Sequence, residues 1–178
     1  MRSEQMKQQT KLYLQKMKGG TRSPLTVRPL NIIVGFIGGV ISIGLLALLT
    51  SVGDSVWIMA PFGASCVLAF AVWDAPLSQP RNIVGGHLVS TLAGLTVHEL
   101  LGDGVIAMAI GVGAAISLMA LTRTTHPPAG ADPLVVMMAG SGWSFLLTPV
   151  LAGSVIIVLV ALLVNNAVKE RRYPTFWW

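Results

Sequence analysis

The chain has 178 residues, of which 53% are hydrophobic and only 11% charged, with a mean hydropathy of +0.72. That leaves too few polar groups to cover a water-soluble surface, so the sequence predicts an all-α membrane protein with no room for a separate soluble domain. The net charge of +5 sits mainly at the two chain ends, which argues against nucleic-acid binding, and the single cysteine, Cys66, excludes an internal disulfide or a cysteine-only metal cluster.

Residues 1–29 form a basic tail, with Arg2, Lys7, Lys11, Lys16, Lys18, Arg22 and Arg28 against Glu4 alone. Positive charge resists translocation and is drawn to anionic lipid, so this tail is expected on the cytoplasmic side. The first apolar run begins at about Asn31, too far along and too glycine-rich for a cleaved secretory signal, and the N-terminus is expected to be retained. The transmembrane domain is expected over residues 30–168, with a short tail at 169–178.

Six apolar runs follow: Leu30 to Thr50, Val56 to Trp73, Ile83 to Leu101, Val105 to Leu121, Pro133 to Ala139, and Phe145 to Val168. Four are long enough to span a bilayer unaided at about 1.5 Å per residue. The second is broken early by Pro61 and Gly63, and the fifth is preceded by Pro127, Pro128 and Gly130. If all six cross, Arg81, Arg123 and the C-terminal Lys169, Arg171 and Arg172 fall inside with the N-terminus, as the positive-inside rule favours. The rival has four spans and two re-entrant segments, which moves Arg81 and Arg123 outside. Trp57, Trp73, Trp143, Trp177 and Trp178 lie near segment ends, where amphipathic rings anchor at the headgroups. Gly35-x-x-x-Gly39 and Gly111-x-x-x-Ala115 are expected to let neighbouring helices approach closely.

The sequence also echoes itself. Gly38-x-x-Ile41-Ser42 matches Gly113-x-x-Ile116-Ser117, and Pro61-Phe62-Gly63-Ala64-Ser65 resembles Pro128-Ala129-Gly130-Ala131-Asp132. Two three-segment repeats are expected, about 30–101 and 104–168, each with a short interrupted helix in the middle. Three crossings per half make the repeat inverted, a plan that recurs in transporters.

The interrupted segments are the candidate permeation site. Asp132-Pro133 reads as a helix start, with Asp132 as N-cap, and Ser65 takes the same place before Cys66 to Trp73. Ala60 to Ala64 and His126 to Ala131 are then expected to be extended. Two short helix N-termini facing a shared interior suit an anion, and Gly63 and Gly130 allow it close to the backbone. The carboxylate of Asp132 works against this. Either it pairs with a cation such as Arg123 or Arg81, or it is protonated during transport, or the solute is not an anion.

His126 is the leading candidate for handling solute or protons, since imidazole titrates near neutrality. His87 is read either as facing the same cavity or as making a buried hydrogen bond to a neighbouring helix. Arg81 and Arg123 either attract anions to the inner mouth or anchor topology. Asn165 and Asn166 read as interfacial and Cys66 as a small packing residue. The three scattered histidines show no metal-ligand spacing, and there is no Walker A lysine motif. Neither a cofactor nor an enzymatic activity is expected.

Thr125-His126-Pro127-Pro128-Ala129-Gly130-Ala131, with Ala60-Pro61-Phe62-Gly63-Ala64-Ser65 and Gln79-Pro80-Arg81-Asn82, resembles the HPP family of integral membrane proteins. The resemblance extends from about Asn31 to Asn166. Family members are usually described with four spans, and plastid and cyanobacterial members are linked to nitrite transport. The resemblance therefore implies a nitrite-like monovalent anion, with His126, Pro127 and Pro128 near the site. The functional expectation is a transporter or channel for a small anion, multi-pass in the inner membrane with both termini cytoplasmic. Because six short helices enclose little space, a homo-oligomer, most simply a two-fold dimer, is also expected. The competing expectation is a membrane scaffold or sensor subunit whose basic tail binds lipid or a partner.

Overall fold

The computed structural model describes residues 2–23, 26 and 28–178. Met1, Pro24, Leu25, Val27 and the side chains of Arg2 and Ser3, all within the expected basic tail, lie outside the described residues. Every regular element among the described residues is helical. They are α1 (Arg2–Lys16), α2 (Pro29–Val52), α3 (Ala60–Cys66), α4 (Pro80–Leu101), α5 (Val105–Leu121), α6 (Asp132–Ala139) and α7 (Ala152–Asn166). Shorter turns extend several of them. α3 runs on through a π turn at Val67–Ala71, a 3-10 turn at Pro127–Ala131 leads into α6, and Trp143–Leu151 leads into α7.

The exposed side chains suit lipid. Ile32, Ile33 and Phe36 on α2, Val105, Ile106 and Leu121 on α5, and Leu159 and Leu163 on α7 all point outward. Pro29–Val52 and Trp143–Asn166 are long and apolar enough to cross a membrane on length and composition alone. α4 has 22 residues, but His87, Ser90 and Thr91 dilute its apolar character; all three are buried inside the molecule.

Contacts at the helix ends fix the chain's path. At one end Arg171 donates to Asn31 Oδ1 (2.8 Å), to the Phe70 carbonyl (2.9 Å) and to Asn165 Oδ1 (2.7 Å), and its guanidinium lies over Trp73. Burial pulls this guanidinium below its ordinary pKa, opposed by the nearby Asp74 carboxylate. Tyr173 reaches the Ser78 carbonyl, and Arg81 the Thr122 carbonyl, at the same end. At the other end the Trp57 N–H donates to Thr50 Oγ1, while Met59, Ala139, Ser141 and Phe145 line one cavity. The six segments from α2 to α7 therefore run alternately between these two ends. Phe62 and Phe70 knit the first segments to the last, filling space over Gly153 and Gly38 that a Cβ would occupy.

Local expectations need four corrections. Ser65 is no N-cap, because Ala60 to Ala64 is already helical; Pro61 falls in the first turn of α3, where a missing N–H breaks nothing. Asp132 is the first residue of α6 and makes no capping bond, its carboxylate being drawn to side chains of α4 instead. His126 is extended (φ −138°, ψ 101°), as the residue before a proline prefers, but Pro127–Ala131 winds as a 3-10 turn. Gly35 and Gly39 face open space; the close approach on α2 is at Gly38, whereas Gly111 does pack against Pro133 and Met137 as expected.

Candidate functional site

The site is built on one face of α4. Gly86, His87, Ser90, Thr91 and Gly94 recur at helical spacing, so they share a face. A Cβ on Gly86 would lie 2.6 Å from Cβ of His126 and 2.8 Å from the Thr124 carbonyl; one on Gly94 would lie 2.7 Å from Cα of Pro133. The missing side chains let the stretch from Thr124 to Pro133 rest directly on the helix backbone. That stretch is not α-helical before Asp132, so some of its carbonyls need outside donors. α4 supplies them, with Ser90 donating to the Ala129 carbonyl and Asn82 to the Thr125 carbonyl (2.8 Å).

Four fully buried polar side chains form a continuous ladder beside this contact. Asp132 Oδ2 lies 2.7 Å from His87 Nδ1 and accepts a second bond from Thr91 (3.2 Å). His87 Nε2 lies 2.8 Å from Ser65 Oγ, which lies 2.8 Å from His126 Nε2. His126 Nδ1 closes the ladder on the Leu77 carbonyl at 2.8 Å. Since a carbonyl only accepts, His126 Nδ1 carries a proton, and Nε2 is the acceptor whenever that ring is neutral. Phe62 packs edge-on against His87, and the two imidazole rings meet edge-on at 5.2 Å between centroids.

His87 thus joins the two echoed motifs, holding Ser65 on one ring nitrogen and Asp132 on the other. The motifs share a pattern of burial. Pro61, Phe62 and Ser65 are buried while Gly63 and Ala64 are exposed; Pro128, Ala129 and Asp132 are buried while Gly130 and Ala131 are half-buried. The fifth residue of each motif, Ser65 or Asp132, reaches the same histidine.

Of the residues predicted for the site, the structure brings together Ser65, His126, Asp132 and His87, the last making buried hydrogen bonds to neighbouring segments. Pro61 enters through its carbonyl, 3.1 Å from Ser65 Oγ, and Pro128 is buried behind the motif. Pro127 is exposed, Gly63 and Gly130 face open space, Ala64 is exposed and Ala131 is half-buried. Thr125 contributes its carbonyl to Asn82. The two short helices do not present their N-termini to a common point, because α3 begins at Ala60 near the Trp57 end and α6 begins at the ladder. Asp132 pairs with His87, not with Arg81 or Arg123. Arg81 is bonded to the Thr122 carbonyl, and Arg123 occupies an exposed left-handed turn (φ 56°).

Sequence reasoning missed Thr91, Ser90 and Asn82. Their signal was present, since Asn82 through Thr91 places four polar side chains within a membrane-length helix otherwise rich in Val, Leu and Gly. Asn165 was read as interfacial, yet it is buried and bridges Arg171 to the Ala69 and Ala161 carbonyls. Cys66 lies in the apolar core as expected.

The hydroxyl, imidazole and carboxylate of Ser65, His87 and Asp132 stand in the order used by serine nucleophiles. Here the hydroxyl is fully buried and its oxygen already has three partners, Pro61, His87 and His126, leaving no approach for a carbonyl substrate. The arrangement suits proton storage and transfer better than covalent attack.

Comparison with known proteins places the chain. The family model described as "HPP, transmembrane region" matches residues 24–174. A transmembrane protein of Dictyostelium discoideum is 36% identical over 178 residues, covering 93% of this chain and 57% of that protein. Another from the same organism is 37% identical over 129 residues, covering 68% of this chain and 45% of its own length. The chain spans about half the length of the curated relatives it matches, and their names state only that they are transmembrane. No solved structure matches.

Proposed function

The chain belongs to the HPP transmembrane family, and from that premise we propose that it carries or conducts a small anion across the membrane, with nitrite the leading candidate. The observation that supports this most is the buried ladder from Asp132 to Leu77, set where a broken segment lies against α4. Ionisable groups at membrane depth are costly and mark solute or proton pathways, and non-helical backbone at that depth belongs beside protein or a cavity.

In this reading all six segments from α2 to α7 cross the bilayer and the halves form an inverted pair, consistent with the alternating direction of the segments. Arg81, Arg123 and both termini then lie on the cytoplasmic side, the membrane being the inner membrane. The protein works as a homo-oligomer, most simply a dimer, since each protomer offers little enclosed space.

The test is reconstitution of purified protein into liposomes, with uptake of nitrite, nitrate, formate and chloride followed separately. Uptake of nitrite above that of empty liposomes is expected. No uptake of any of the four overturns the reading. The competing reading is a scaffold or sensor with a partner-binding tail. It draws on α1, which is exposed along its described length and carries Lys7, Lys11 and Lys16. It predicts that deleting residues 1–28 abolishes function while His126→Ala does not; the transporter reading predicts the reverse order of severity.

A further inference from the structure

We propose that Asp132, His87, Ser65 and His126 form a binding site for one proton, which the Ser65 hydroxyl passes between the two imidazoles. This is the coupling ion of the transport proposed above and rests on that reading for its physiological use.

The hydrogens of the cluster fall one short of its links. The ladder has four links: Asp132 to His87, His87 to Ser65, Ser65 to His126, and His126 to the Leu77 carbonyl. Each link needs one hydrogen. An ionised Asp132, two neutral imidazoles and one hydroxyl supply three between them. One link is then empty, and the cluster carries one negative charge in a water-poor interior. Adding a single proton fills the fourth link and brings the net charge of the cluster to zero. The count is the same whether the added proton is drawn on Asp132 or on His87. A second added proton finds a place only if the Ser65 O–H turns onto the Pro61 carbonyl, 3.1 Å away, so that both Nε2–H groups donate to Ser65 Oγ, and the cluster then carries a net positive charge in the same interior. Filled links together with zero net charge therefore match the ladder to one proton, neither none nor two.

The same geometry makes that proton mobile. With His87 doubly protonated, its Nε2–H donates to Ser65 Oγ and the Ser65 O–H donates to His126 Nε2. Transfer breaks the His87 N–H and the Ser65 O–H bonds and forms a new Ser65 O–H and a new His126 N–H. Ser65 ends as it began, both links reverse direction, and the proton has moved from one ring to the other. His126 Nδ1 keeps its hydrogen on the Leu77 carbonyl throughout. The move shifts positive charge away from Asp132 and onto the His-Pro-Pro segment, whose backbone rests on Gly86.

The charged surroundings leave this proton to the ladder alone. α2, α5 and α7 contain no Asp, Glu, His, Lys, Arg, Cys or Tyr, and α6 contributes only Asp132. On α3, Cys66 belongs to the apolar core. On α4, Arg81 is held at one end by Thr122, while His98 and Glu99 lie in the last turn at the other. The orphaned Oδ1 of Asp132, buried without a partner, shows how incompletely the ionised carboxylate is satisfied. An incoming monovalent anion accompanied by this proton moves no net charge, which removes the conflict between Asp132 and an anionic solute.

The test uses full-length protein in lipid bilayers with ¹⁵N-labelled histidine. Solid-state NMR reads the protonation of each ring across a pH series, and nitrite uptake is measured on the same preparation with and without an inward proton gradient. His87 and His126 are expected to titrate together, taking up one proton between them. In Ser65→Ala their midpoints are expected to separate, coupled sites being those that interact by more than about one pH unit. Ser65→Thr, which restores the hydroxyl, is expected to bring them back together. Independent midpoints in the wild-type protein, or uptake of two protons, overturn the proposal without any need for a variant to fold. Coupled titration without uptake of any anion supports the proton site and overturns the transport reading. Uptake that ignores the proton gradient, with independent midpoints, does the opposite.

Discussion

The segments Ala60–Ala71 and Pro127–Ala139 carry the same five-residue echo and are wound differently. The first is α-helical throughout its echo and then runs into a π turn; the second passes through a 3-10 turn before its helix begins at the last residue of the echo. Even so, both bury the first, second and fifth positions and leave the third and fourth exposed or half-buried. What the two regions share is therefore a face, not a backbone. The face is common to both because its fifth residue has a fixed partner, His87, with one ring nitrogen for Ser65 and the other for Asp132. Both segments are entered from an extended residue, Met59 (φ −138°, ψ 146°) or His126 (φ −138°, ψ 101°), so the difference in winding arises only after that point.

The largest effect expected from breaking this arrangement is that of Asp132→Ala. Removing one member of a fully buried pair strands the other, at a cost of about 3–5 kcal/mol, to be seen as a lower unfolding temperature in detergent. Asp132→Asn is expected to be milder, because an amide still meets His87 and Thr91. Next comes Gly86→Val, which drives a side chain into His126 and Thr124. Overpacking of this kind costs about 1–3 kcal/mol, and faster amide exchange is expected across residues 124–131. Arg171→Ala tests the end of the molecule away from Trp57, since Arg171 ties the C-terminal tail to the Phe70 carbonyl, Asn31 and Asn165. Losing charge-assisted hydrogen bonds there is expected to cost about 2 kcal/mol, with faster exchange at residues 67–74 and 165–173. The smallest effect is expected from Gly63→Ala and Gly130→Ala. An added Cβ meets open space at both positions, so each is expected to stay within about 0.5 kcal/mol of wild type. A large loss of uptake in either, with stability unchanged, would bring solute back to those glycines and sharpen the difference between stability and passage.

Much of this was legible in the residues. The apolar runs marked six segments to within a few positions, because burial in lipid leaves little freedom in composition. The echoed motifs pointed to the two segments that meet at the site, and the His-Pro-Pro residues pointed to the family. Pro61-x-Gly63 read as a breaker because proline and glycine usually interrupt helices; at the first turn a proline has no hydrogen bond to lose. Asp132 read as a cap because Asp-Pro is a strong local signal, which the buried imidazole on α4 overrides. Ser90 and Thr91 carried no signal as single residues. Only their spacing from His87, on a helix wound tightly enough to bring all three to one face, gives them a role.

His87 is where the two echoed segments meet, so its substitution tests most directly whether that meeting place is also where solute moves. The decisive measurement is nitrite uptake by His87→Gln in liposomes, at folded-protein levels matched to wild type. Uptake falling to the level of empty liposomes, with the variant still folded, is the expected result. Uptake at the wild-type rate would contradict it, leaving the ladder as a structural brace.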